Sequence, residues 1–199
     1  RAMRWVKQSR KDWPSDWASV CRERARLSGR GARDYLTDGR DGPVSGSATG
    51  VSVEVGKPMA YSLTTLMATT PGKNPRITDV EMDADDGVEL VDVGFLDSKA
   101  SIGAITVDEF PPEPYFKEYP QDRDNFHQGL PSGPVPAKVP WSLVGAVVTH
   151  NEGPTTVRSV TVTYEIDGES HHQEFDVLFN LCVYTDDPDD VECEAPDID

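Results

Sequence analysis

Two adjacent histidines, His171 and His172, follow an Asp167-Gly168 dipeptide in the stretch "VRSVTVTYEIDGESHHQEFDVLFNLCV", residues 157 to 183. Paired imidazoles are a common start of a zinc site or of a general acid–base centre. Their surroundings argue against both. Asp-Gly between two alternating apolar runs predicts a two-residue type I′ hairpin turn, in which both central residues take positive φ. Residue 166 then faces 169, 164 faces 171 and 162 faces 173. Val160, Val162, Tyr164 and Ile166 therefore share a core face with His171, Phe175, Val177, Phe179 and Leu181. Ser159, Thr161, Thr163, Ser170, His172, Glu174 and Asp176 fall on a polar, solvated face. Neighbouring strand residues point to opposite faces, so the two histidines do not ligate one metal together.

The other chemistry-bearing groups read similarly. Asp83, Asp85, Asp86 and Gly87 in "DADDG" resemble a calcium loop, but with Gly87 at loop position 6 the first ligand position is Met82, so the register fails. A tight turn between "RITDVEMD" and "VELVDVGFLD" is the reading, as a hairpin or as two strands joined there. No GxSxG, HExxH, P-loop or GxGxxG pattern occurs, and no CxxC or HxH spacing. No metal site, cofactor or catalytic residue is expected. The three cysteines are Cys21, Cys182 and Cys193. A Cys182–Cys193 disulfide would close a short hydrophilic loop, stabilise it by roughly 3 kcal/mol and imply an oxidising compartment. Cys21 could replace either partner, so three pairings stay open.

The least regular stretch is "FPPEPYFKEYPQDRDNFHQGLPSGPVPAKVP", residues 110 to 140, with eight of the sixteen prolines. Phe110, Tyr115, Phe116, Tyr119 and Phe126 lie in it, and Trp141 follows. A long loop in a compact domain is usually functional or disordered, and proline with aromatics lowers ordering entropy while supplying contact area. These six aromatics form the candidate binding loop. The alternative is that the loop folds its aromatics back over the end of the domain. Glu109, Glu113, Glu118, Asp122 and Asp124 against Lys117 and Arg123 make residues 109 to 124 net acidic, a fit for a protein partner or for the basic N-terminal segment.

The elements that position these residues are strands. "VSVEV", "AYSLTTLMAT", "SIGAITV" and "WSLVGAVVTH" join the stretches above, and no helical period stands out between 50 and 185. Seven or eight short strands at regular spacing predict an all-β, antiparallel sandwich. Ahead of them, "PSDWASVCRERARLSGRG" reads as one short helix, with Ser15 as N-cap and Gly29 and Gly31 as its stop. "TDGRDGPVSGSATG" then reads as a linker. The expected organisation is 1–46 as a basic segment with helix and linker, 47–185 as the sandwich and 186–199 as an acidic tail.

"VTVTYEIDGESHHQEF" with its "LCV" ending resembles the closing hairpin of extracytoplasmic immunoglobulin-like domains of exported or membrane-anchored actinobacterial proteins. "ITDVEMDADDGVELVDVGFLD" is similar to an earlier hairpin of the same group. The resemblance implies an immunoglobulin-like sandwich outside the cytoplasm and brings no catalytic residues with it. The basic N-terminal segment is not part of the pattern.

Charge narrows the partners. The chain has 19 basic and 35 acidic residues, a net charge of −16. Residues 1–40 carry 11 Lys+Arg against 5 Asp+Glu, and the remaining 159 carry 8 against 30. A charge this acidic argues against a nucleic-acid partner for the whole chain, since phosphate binding needs a basic face. No apolar run is long enough to span a membrane. The chain opens on Arg1 without an initiator Met, so it reads as a piece of a longer protein, with two alternatives for the basic start: a segment that follows a signal peptide or membrane anchor, or a solvated chain end. An anchor would hold the basic stretch near anionic headgroups. The expectation is a non-catalytic exported accessory domain that binds a protein partner at the cell envelope. The alternatives are a carbohydrate- or envelope-binding module using Tyr115, Tyr119 or Trp141, and an envelope hydrolase whose site shows no motif.

Overall fold

The computed structural model describes residues 36–38, 47–52, 55–97 and 105–184. All of them lie in one compact unit spanning 34–199. The strands are β1 (Leu36–Asp38), β2 (Ser47–Ser52), β3 (Met59–Ala68), β4 (Arg76–Ala84), β5 (Val88–Asp97), β6 (Thr106–Val107), β7 (Phe126–Gln128), β8 (Trp141–Thr149), β9 (Gly153–Ile166) and β10 (Glu169–Tyr184). One short α-helix, α1 (Glu113–Glu118), and a 3₁₀ helix (Pro120–Asn125) lie between β6 and β7. The protein is all-β and mostly antiparallel, in two sheets.

The larger sheet runs β1-β3-β8-β5-β7, with β6 also on β3; the smaller runs β2-β10-β9-β4. Among the described strands only β2 and β10 pair in parallel. The sheets face one another across the main core. Met59, Tyr61, Leu63, Phe95, Leu143 and Val147 come from the first sheet, and Val160, Val162, Tyr164, Phe175, Phe179 and Leu181 from the second. Tyr61 stacks on Phe179 across the gap at 4.3 Å between ring centroids.

The β9–β10 hairpin has the expected register. Ile166 opposes Glu169, Tyr164 opposes His171 and Val162 opposes Gln173. Asp167 and Gly168 both have positive φ, 54° and 83°. Beyond Asp176 the ladder shifts, with Phe179 opposite Val157. This bulge returns Val157 to the core alongside Val160. Ser159 is buried instead of solvated, and its hydroxyl donates to Glu174 at 2.7 Å.

Other expectations change. Of the two readings of the "ADDG" turn, two strands joined there holds and the hairpin does not: β4 pairs with β9 and β5 with β8, so the turn carries the chain from one sheet to the other. β1 lies within the stretch read as helix plus linker, yet it pairs with β3 and Leu36 is fully buried. The sheets therefore begin ahead of residue 47. The N-terminal helix and the acidic tail lie outside the described residues.

Candidate functional site

The proline–aromatic stretch is a built structure. After β6 the chain turns at the cis Phe110–Pro111 bond. Proline in its first turn, with Glu113 there and Lys117 in its last, suits α1. Pro120 then opens the 3₁₀ helix. β7 returns the chain to β5, pairing Phe126 with Leu96, His127 with Phe95 and Gln128 with Gly94. The irregular loop expected here thus contains two short helices. The sequence hides them because six residues are too few to show a helical period among prolines.

Their inner side lies on the outward face of the larger sheet. Ala60, Leu96, Ile105, Val107 and Val144 form a second core there, with Phe110, Tyr115 and Phe126 packed against it. Phe116 meets Phe126 edge-on at 5.3 Å, and Phe110 meets Phe126 at 6.1 Å. Gly94 makes room for this layer, because a Cβ there would overlap the Phe126 ring. β8 is consequently buried along its whole length, with the main core on one face and the aromatic layer on the other.

Polar bonds lock the layer. The Tyr115 hydroxyl donates to the buried Asp122 carboxylate at 2.6 Å. Burial first, then that carboxylate, pushes the Tyr115 phenol well above its ordinary value. Arg123 grips Glu113 with both guanidinium nitrogens and lies 5.3 Å over the Phe116 ring. Its partner Glu113 raises Arg123 further. Tyr119 packs on Tyr115 at 4.8 Å, and its phenol is raised by a hydrogen bond with Glu118. Asp108, Glu109, Lys117, Glu118, Arg123 and Asp124 are exposed on the outside.

Two of the six candidate contact residues are therefore interior. Phe116 is 3% exposed and Trp141 5%. Trp141 belongs to the main core, on the opposite face of the sheet from the aromatic layer, packed between Phe95 and His127. Neither offers a stacking surface. Phe110, Tyr115, Tyr119 and Phe126 are half-buried, and the first two and the last rest on the second core.

Residues 129–140 then run as a strap. The Gly129 amide donates to the Val93 carbonyl, the Ser132 amide to the Ile77 carbonyl and the Val135 amide to the Pro75 carbonyl. The Ser132 hydroxyl accepts from the Ile77 amide at 2.9 Å. The strap thus joins β5 in one sheet to β4 in the other, and Val135 is fully buried.

The remaining candidates are structural in their contacts. His171 stacks on Tyr164 at 5.6 Å, while His172 opposes Thr163 and is exposed. Asp85 accepts from the Thr156 amide at 2.8 Å and pairs with Arg158. The Thr156 amide first, then Arg158, lowers its carboxyl below the ordinary value. Among the described residues no three His, Cys, Asp or Glu side chains are grouped to hold a metal ion. Cys182 is buried on the outward side of β10 and is disulfide-bonded. Cys21 and Cys193 both lie outside the described residues, so the expected Cys182–Cys193 pairing does too. No helix among the described residues is long and apolar enough to cross a membrane. No family model matches the chain, and no curated protein matches it.

Proposed function

We propose that this chain is a non-catalytic, extracytoplasmic immunoglobulin-like domain that acts by protein–protein contact at the cell envelope, through the acidic outer side of its proline–aromatic insertion. The immunoglobulin-like part of the reading is supported by strand order. Lettering the strands with β1 as A, β3 as B, β4 as C, β5 as D, β8 as E, β9 as F and β10 as G turns the two sheets into A-B-E-D and C-F-G orders. The insertion then lies between strands D and E.

The observation that carries the functional reading is the construction of the insertion. Its aromatics are spent on the sheet beneath, and the Glu113–Arg123 and Tyr115–Asp122 bonds hold its outline fixed. Preorganisation of this kind lowers the entropy cost of association. Glu118, bonded to half-buried Tyr119, and Asp124 stand exposed with Asp108 and Glu109, an acidic excess over Lys117 and Arg123 that suits a basic partner. The displaced proton affinities among the described residues trace to burial for Tyr115 and to hydrogen-bonded neighbours for Asp85, Tyr119, Arg123 and Arg158. None of these pairings supplies a nucleophile with its base, which favours binding over catalysis.

The test is capture from solubilised envelope with the full chain as bait. A Glu118→Lys/Asp124→Lys variant with an unchanged circular dichroism spectrum should lose the captured protein, and raised salt should weaken its capture. Equal capture by both forms would refute the assignment of the surface.

A further inference from the structure

We propose that Asp97, His127 and Trp141 form a subsite for a hydroxyl group of a neutral saccharide, at the end of the larger sheet and apart from the acidic surface above. Asp97 on β5 lies directly opposite Trp141 on β8. His127 on β7 lies opposite Phe95, two residues from Asp97. Residues two apart on a strand share a face, and so do cross-strand partners. All three side chains therefore stand on the side of the sheet that carries Phe95. The His127 ring lies nearly parallel to the indole, with centroids 6.0 Å apart and planes at 26°.

Two atoms in this group lack a partner. The Trp141 indole Nε1 and the Asp97 carboxylate Oδ1 are both buried and make no hydrogen bond. Leaving a buried polar group unpaired costs about 1–3 kcal/mol, so each has a strong demand for one. The demands are opposite: the indole only donates, and the carboxylate only accepts. An ammonium group would satisfy Asp97 alone. An anion would satisfy Trp141 alone and be repelled by Asp97. A hydroxyl accepts from the indole and donates to the carboxylate at once. His127 is exposed beside them, while the two unpaired atoms are closed to solvent, so a ligand reaches them only when the imidazole turns aside. A saccharide matches this layout, because it offers neighbouring hydroxyls and a C–H face that can lie on the imidazole. Gly133, next to the far edge of the indole, places no side chain over it.

Indole ¹H–¹⁵N spectra of the full chain labelled at tryptophan would test this. The chain has four tryptophans, and Trp141→Phe identifies the peak of interest. Maltotriose, cellotriose, mannotriose and chitotriose are the probes. At least one should shift the Trp141 peak saturably, and His127→Ala and Asp97→Ala should each weaken that response by about tenfold or more. Asp97→Asn, which keeps an acceptor oxygen, should weaken it less. An unchanged far-UV circular dichroism spectrum and thermal midpoint in each variant report an intact fold. Binding unchanged in Asp97→Ala would overturn the proposal. So would a peak that moves only with a Ser/Thr-rich peptide, or one that moves with none of the four probes, which would leave water as the bridging hydroxyl.

Discussion

Gly94 and Phe126 show how a single hydrogen in place of a methyl decides whether a layer can form. The ring of Phe126 lies where the Gly94 Cβ would be, on the outward face of the larger sheet. Gly94→Ala should destabilise the protein by about 1–3 kcal/mol, the usual range for overpacking a filled site. Urea midpoints would read the loss. In a Phe126→Leu background the same substitution should cost measurably less, because the two residues share one space. Equal costs in both backgrounds would mean that the ring is not what Gly94 accommodates. Asp85 is a residue of another kind, a carboxylate that ties the turn between the sheets to β9. Its folded proton affinity is lowered, so its stabilisation is complete above the unfolded value near 4 and disappears as pH falls through the lower folded value. The group is partly exposed, so Asp85→Asn should cost only about 1 kcal/mol at pH 6. The gap between wild type and variant should close towards pH 2.5. A gap that stays constant across that range would show that the charge contributes nothing.

At the scale of elements, the strap is the piece whose contribution is easiest to isolate. Ser132 accepts the Ile77 amide through its hydroxyl and donates to the Ile77 carbonyl through its backbone. Ser132→Ala leaves the buried Ile77 amide unpaired, at a cost of about 1–3 kcal/mol. Amide exchange should accelerate at Ile77 and along the strap, while the β9–β10 hairpin keeps its protection. Faster exchange in the hairpin alone would place the strap's role elsewhere. The contrast between these two elements also explains what could be read from the sequence. The hairpin is local: Asp167-Gly168 sets the turn, the turn sets the register, and the faces of Tyr164 and His171 follow. The strap and the aromatic layer depend on partners far away in the chain, such as Gly94 for Phe126 and Ile77 for Ser132. β1 carries too few residues to show a period, and its place is decided by Leu66–Ala68 on β3. The turn at "ADDG" looks like a hairpin locally, but the pairing of β4 with β9 and β5 with β8 wins. One signal did foretell the covered outer face. "LVGAVV" within β8, residues 143 to 148, is a continuous apolar run instead of an alternating one, which is what a strand buried on both sides requires. The proposed subsite shows the opposite case, since nothing local links Asp97, His127 and Trp141.

Over the whole molecule, charge is the interaction that solvent tunes most strongly. A net −16 means that the compact state brings like charges together, and this self-repulsion opposes folding. The same acids also protect the sheets. β4 has no strand partner on its outer side among the described residues, and there it exposes Asp79, Glu81 and Asp83. In the other sheet β5, in the part that β7 does not cover, bulges at Val91 and turns the Asp92 carboxylate onto the Val93 amide. Bulges and charges of this sort keep an open edge from pairing with another chain. Salt acts on the two electrostatic effects in opposite directions. It weakens the exposed pairs Lys73–Asp167, Arg123–Glu113 and Arg158–Asp85, which contribute about 0–1 kcal/mol each. It also screens the repulsion among a large excess of carboxylates, with the screening length falling from about 30 Å at 0.01 M to about 8 Å at 0.15 M. The excess outnumbers the pairs, so screening of repulsion should win. The thermal midpoint of the full chain should rise by about 3 °C or more between 10 and 300 mM NaCl, which for a chain of this size corresponds to roughly 1 kcal/mol. Reversing Glu81 and Asp83 to lysine should reduce the rise, because it removes four units of net negative charge from one face. A midpoint that falls with salt would mean that the ion pairs outweigh the repulsion, and that the acidic surface is held by local pairing.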